Sequence, residues 1–327
     1  MSHLVIAKGI PCLFPIHPEH PTSMPDTPAA ESTDSPAPPS DASMKRRTLL
    51  NRSASTIFLV TLVGVALWYS ERWIFLALFS ILSLGALTEY FRLFPEAGFR
   101  RFRWLAFLVS GGYLCLLFSP LWGLQADWLG QLDGIALAIL SILMVLTRLR
   151  SPLEGYRSFD EMAATLFGFT YCVLLFSFIP KILLLPALGS SSVLYLVYLV
   201  AVTKLTDMGA YLVGSAIGKD KLVPQISPGK TWQGFWGALV FAVAGSYAFY
   251  FLAGDRIPII TAVHAGVLGL LLALVAVLGD LAESIFKRSL AVKDSGHIMP
   301  GIGGFLDLVD SVIFTAPVFY LYLLVFN

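Results

Sequence analysis

Long apolar runs separated by short polar breaks fill the chain from about position 54 to its last residues. A helix needs roughly 20 mostly apolar residues to cross a bilayer. Nine runs approach that length, at about 54–71, 73–92, 104–123, 132–148, 162–180, 190–206, 233–253, 258–280 and 309–326. The ten-residue alternation of a membrane barrel is missing. In hydrocarbon a backbone must satisfy its own hydrogen bonds, so the pattern predicts an all-α, polytopic transmembrane helix bundle of about nine spans.

Composition agrees. Of 327 residues, 57% are hydrophobic and only 13% are charged, about half the charged share of an ordinary soluble chain. Cys12, Cys115 and Cys172 are scattered, with no paired spacing, so neither a disulfide framework nor a zinc site is expected. With the segment before the first span placed in the cytosol, the opposite side receives only Arg72, Lys181 and Arg256, and most other lysines and arginines fall inside. That bias sets a cytosolic N-terminus and favours an odd number of spans. Trp68, Trp73, Trp104, Trp122 and Trp128 stand at run ends, as interfacial belts require.

Three regions follow. Residues 1–43 hold nine of the 19 prolines among Ser, Thr and acidic residues, which predicts a disordered extension. Met44 precedes Lys45, Arg46 and Arg47 and then the first span, so the first 43 residues are expected to be dispensable or to come from an upstream start codon. Residues 44–190 read as N-terminal transmembrane helices with few polar groups. Glu89, near the cytosolic end of the second run, is the exception. Residues 191–327 carry the chemistry, in two cytosolic-side segments, 204–232 and 279–310.

In GDLAESIFKR, Asp280, Glu283, Ser284 and Lys287 lie at i, i+3, i+4 and i+7 and share one helical face. Charges directly after an apolar span are costly and mark a functional cavity. The next stretch, Lys293 to Gly304, has the glycines and proline of a loop whose N–H groups suit phosphate oxygens. Asp307 and Asp310 then open the last run at i, i+3. With Asp280 they suit a hard divalent cation such as Mg²⁺. Capping of the last helix explains one of these aspartates rather than all three. Upstream, Lys204, Asp207 and Tyr211 also share a face, and SPGKTWQG from Ser227 to Gly234 places Lys230 in a Gly-bearing turn without Walker A spacing.

These pieces, in this order, resemble the phosphatidate cytidylyltransferase (CDP-diacylglycerol synthase) family over about 203–311. Ser284, Lys287, Arg288, Lys293, Asp294, Gly296, Pro300, Gly303, Gly304, Asp307 and Asp310 match its signature in register. So do Asp207, Ala210 and Tyr211, and Ser227, Pro228, Lys230, Thr231, Trp232 and Gly234. Ile302 stands where the pattern has His, Leu308 where it has Arg, and Gln233 where it often has Glu. The resemblance implies catalytic loops on the cytosolic side of a bacterial inner-membrane protein, and transfer of CMP from CTP to phosphatidate with release of pyrophosphate. It implies Mg²⁺ on Asp280, Asp307 and Asp310, with a second, monovalent cation such as K⁺. Asp280, Lys287, Arg288 and Asp307 become the catalytic candidates. Lys204, Asp207, Tyr211, Ser227, Lys230, Ser284, Lys293 and Asp294 become the substrate-binding ones. Membrane lipids and a second copy, as a homodimer, are the expected partners; nucleic acid is not. A CTP-dependent transferase for another lipid and a membrane transporter are the alternatives. No inverted repeat relates the two halves, and the charges gather at one membrane face.

Overall fold

The computed structural model describes residues 72–94, 97–123, 130–150, 152, 155–290, 292 and 304–326. The expected first span, 54–71, the extension 1–43 and the loop 293–303 lie outside the described residues. Within them run helices α1 (Arg72–Arg92), α2 (Ala97–Leu117), α3 (Leu132–Leu149) and α4 (Tyr156–Phe169). A π-helical stretch, Thr170–Leu175, leads into α5 (Phe178–Leu184). Then come α6 (Ser192–Ile217), a short hairpin of β1 (Lys221–Val223) and β2 (Ser227–Thr231), α7 (Trp232–Ala253), α8 (Ala262–Ser289) and α9 (Phe305–Phe326). Seven of the described helical segments are long and apolar enough to cross a membrane, and Phe102–Leu117 is a shorter apolar one. The protein is an integral membrane protein with a polytopic, nearly all-α bundle.

Two boundaries move relative to the apolar runs. The sixth run continues as helix through Lys204, Asp207 and Tyr211 to Ile217, and the eighth continues through Asp280 and Lys287 to Ser289. The backbone keeps its ladder beyond the apolar stretch, so these polar side chains ride on rigid helix ends rather than on loops. SPGKT forms strand β2, antiparallel to β1, with Lys221 opposite Thr231 and Val223 opposite Ser227. Thr231 closes the strand and caps α7 by accepting the Gly234 N–H at 3.1 Å.

Lipid tails are as apolar as leucine, so helices in a bilayer associate where small residues let backbones approach. Helices α6 and α7 do this at Gly209 and Gly237: a Cβ on Gly209 would lie 2.6 Å from the Gly237 carbonyl oxygen. Helices α8 and α9 close similarly at Gly279, where a Cβ would lie 2.9 Å from the Asp310 carbonyl oxygen. Both contacts bring chemistry-bearing helix ends together at one end of the bundle.

The other end is tied by a separate polar cluster. Tyr113 on α2 donates to Asp133 at 2.7 Å, and Lys181 on α5 pairs with the same carboxylate at 2.5 Å. Trp73 and Trp122 stack at 6.0 Å on that side, consistent with an interfacial position.

Candidate active site

The end of α8 and the start of α9 place three carboxylates together. Oxygens of Asp280, Glu283 and Asp310 all lie within 4.8 Å of one another. Asp280 is half-buried, and Glu283 and Asp310 are buried. Such crowding needs positive charge. Lys230, delivered by β2, meets Asp280 at 2.8 Å. Lys287, one turn beyond Glu283, bridges α8 to α9: its ammonium lies 3.0 Å from Glu283 and 2.7 Å from Asp307. The second Glu283 oxygen, Oε1, is buried without a hydrogen-bond partner.

Asp307 sits differently from the other acids. Its Oδ2 accepts the Gly304 N–H at 2.9 Å in the first turn of α9, and its Oδ1 faces Lys287. A carboxylate there satisfies an orphan N–H and complements the helix dipole. The cluster of three therefore contains Glu283, which shares the sequence stripe with Asp280, whereas Asp307 orients Lys287. Glu89, from α1, reaches the same helix start and accepts the Leu306 N–H at 2.9 Å. It is fully buried and closely packed on Gly304.

Helix α6 supplies the adjoining wall. Lys204 donates to Asp207 and to the Leu308 carbonyl, both at 3.3 Å. An ammonium has three donors, so one remains for a ligand. The Ser311 hydroxyl lies 3.3 Å from the Asp207 carboxylate and 3.2 Å from that of Asp310, so its single proton serves one acid or the other. A cavity of about 480 Å³, more polar than the next one described, opens beside α6; Asp207, Tyr211, Ser227, Lys230 and Asp280 line it together with Leu222 and Phe235. An apolar cavity of about 260 Å³ lies between α1, α6 and α9, lined by Phe75, Phe79, Val200, Leu308 and Val312, with Lys204 as its cationic member. Lys204 and Asp207, one helical turn apart, thus line different cavities.

The remaining candidates frame this arrangement. Arg288 donates to the Ile226 carbonyl at 3.4 Å and ties the hairpin to the end of α8. Ser284 is half-buried on the α8 stripe. Gln233 accepts the backbone N–H groups of Lys219 and Asp220 at 3.1 and 3.3 Å and donates to the Asp220 carboxylate at 2.7 Å. An ionised glutamate could accept from those N–H groups but could not donate to Asp220, so Gln suits this position where the family pattern often has Glu. Lys293, Asp294 and Ile302 lie outside the described residues.

The sequence model of the cytidylyltransferase family matches residues 50–326. The chain belongs to the cytidylyltransferase family. It is 31% identical over 287 residues to a protein of Escherichia coli named "Uncharacterized protein YnbB", covering 82% of this chain and 87% of that one. Over 200 residues it is 37% identical to the phosphatidate cytidylyltransferase of Bacillus subtilis, covering 60% of this chain and 72% of the relative. Over 131 residues it is 44% identical to the phosphatidate cytidylyltransferase of Brucella suis, covering 39% and 46%.

In this cytidylyltransferase the donor set fits a divalent metal ion. The three clustered groups are hard oxygen ligands, and one of their buried oxygens has no partner within the protein. Three contributors lie outside the sequence-derived site set. Glu283 carried a signal, its i+3 spacing from Asp280. Glu89 carried one too, as an acidic residue at the end of an otherwise apolar run, whereas Ser311 carried only its place beside Asp310.

Proposed function

We propose that this cytidylyltransferase is a phosphatidate cytidylyltransferase, transferring CMP from CTP to phosphatidate to give CDP-diacylglycerol and pyrophosphate in phospholipid biosynthesis. The observation that carries this reading is the carboxylate cluster itself: its Asp280 lines the cavity of about 480 Å³ with Lys230, and its Asp310 follows Val309 of the apolar cavity, where Lys204 is the one cation. A reaction joining a water-soluble nucleotide to a bilayer lipid needs both compartments to meet at one reacting centre.

A phosphate oxygen of phosphatidate attacks the α-phosphorus of CTP. The new P–O bond forms as the bond to the bridging oxygen of the β-phosphate breaks, and pyrophosphate leaves with that electron pair. Such a transfer depends on positioning and charge neutralisation rather than on a covalent enzyme intermediate. Lys230, Ser227 and Tyr211 bind CTP in the larger cavity, and Asp207 shapes its inner wall. Lys204 offers its spare donor to the lipid phosphate. Lys287, held by Asp307, and Arg288 add positive potential, as does Lys293, while Asp294 contributes by hydrogen bonding. Ser284 is a further polar contact on the α8 stripe.

Asp280, Glu283 and Asp310 would hold Mg²⁺, with a second, monovalent cation such as K⁺ nearby. Bound there, the ions supply neutralisation of phosphate charge. The site faces the cytosol of a bacterial inner membrane, in keeping with the bias of lysine and arginine. Residues 191–327 form the catalytic region on a scaffold from 44–190, behind the extension 1–43, and the protein works as a homodimer among membrane lipids.

The test is direct: purified protein in lipid nanodiscs with labelled CTP, phosphatidate and Mg²⁺ forms labelled CDP-diacylglycerol. No product with any divalent ion would overturn the reading.

A further inference from the structure

Tyr171 lies in the π-helical stretch Thr170–Leu175, within the otherwise α-helical span from Tyr156 to Leu184. A π-turn inserts a residue, rotates the following side chains out of α-helical register, and is found frequently at functional sites. This one is supported: Ser83 on α1 donates to the Cys172 carbonyl at 2.8 Å. The Tyr171 ring is held on two sides. It stacks on Phe167 at 5.6 Å and meets the edge of Phe314 at 6.1 Å. Phe314 lies one turn beyond Asp310 in α9, toward the membrane interior.

The hydroxyl has no hydrogen-bond partner, although the side chain is 95% buried, with a relative exposure of 5%. Its neighbours in electrostatic reach include Glu283, Asp310 and Asp280. Glu283 Oε1 is also buried and unpartnered. A phenol and a carboxylate oxygen left unmatched in one dry region are costly unless a ligand completes them. The phenol supplies a donor and the carboxylate an acceptor, so the region suits an anion held beside a cation.

We infer that the Tyr171 hydroxyl is a substrate-contacting group, donating a hydrogen bond to a phosphate oxygen of the lipid phosphomonoester. The inference rests on the proposed phosphatidate reading. Position selects the lipid over the nucleotide. Tyr171 lines neither the cavity of about 480 Å³ nor that of about 260 Å³; its ring packs against Phe314, one turn past Asp310 on the membrane side of the carboxylates, the side from which a lipid rather than a nucleotide arrives. The phenol keeps its proton throughout; its role is to orient the attacking phosphate.

Tyr171→Phe removes one oxygen and keeps both ring contacts. The variant raises the KM for a short-chain phosphatidate by about tenfold, the usual scale for a hydrogen bond to a charged group, and leaves the KM for CTP unchanged. Calorimetric titration with the same phosphatidate, without CTP, shows a similar loss of affinity. Tm stays the same or rises, because the hydroxyl has no protein partner to lose. A shift in the CTP KM alone, unchanged values for both substrates, or a lowered Tm overturns the inference. If wild-type protein makes no CDP-diacylglycerol, the proposed function falls and the titration alone decides. Weaker binding by the variant then sustains the role of Tyr171; equal binding, or no binding by wild type, removes it.

Discussion

Glu89 on α1 accepts the backbone N–H of Leu306, at the start of α9, across 217 positions of sequence. One buried carboxylate from the N-terminal helices thereby sets the end of the helix that carries Asp307 and Asp310. Glu89→Ala leaves that N–H without its acceptor and lowers stability by about 1–3 kcal/mol. It also lowers kcat, because Asp307 and Asp310 lose their anchor. Glu89→Gln keeps an acceptor oxygen and retains most of both. Thermal melts and turnover of the two variants check this; equal behaviour of Ala and Gln would exclude the capping role.

Asp307 differs from the three clustered carboxylates in its contacts with the Gly304 N–H and Lys287, which predicts two classes of variant. Asp280→Asn, Glu283→Gln and Asp310→Asn each weaken divalent-ion affinity and lower kcat by roughly 100-fold or more. Asp307→Asn frees Lys287 on one side and lowers kcat by about tenfold, with divalent-ion affinity unchanged. Titration with Mn²⁺ followed by electron paramagnetic resonance measures the affinities. An Asp307→Asn protein that loses Mn²⁺ like the others would return Asp307 to the ligand set.

Removing divalent ions with a chelator abolishes turnover and lowers Tm, since three carboxylates within 4.8 Å are left to repel one another. Adding Mg²⁺ restores both. A Tm indifferent to chelation and readdition would show that the cluster binds no divalent ion in the folded protein.

Lys204 and Lys230 line different cavities. Lys230→Met raises the KM for CTP by about tenfold with little change for phosphatidate, and Lys204→Met does the reverse. Steady-state kinetics with each substrate varied separately is the measurement. Parallel effects of both variants on both substrates would mean that the cavities are not sorted by substrate.

Gln233→Glu sets a carboxylate against the Asp220 carboxylate that the amide now serves at 2.7 Å. The hairpin carrying Ser227 and Lys230 loosens, and the KM for CTP rises severalfold at low salt. The effect shrinks as ionic strength increases, because the pair is exposed and screened. An effect independent of salt would point to lost hydrogen bonding alone.

The bundle itself was legible from sequence, because crossing a bilayer demands long apolar runs and polar residues interrupt them visibly. The stripes at Asp280, Glu283 and Lys287, and at Lys204, Asp207 and Tyr211, followed from helical periodicity, a local property. Periodicity says which residues share a face and nothing about what that face meets. Asp307 and Asp310 share spacing and chemistry, yet Asp307 meets Lys287, Glu283 and a helix N-terminus, whereas Asp310 joins Asp280 and Glu283. That division was decided by the approach of α8 to α9 at Gly279. Glu89 and Tyr171 come from apolar runs more than a hundred residues before the cluster. No spacing rule reaches that far, and only packing of distant helices brought them to it.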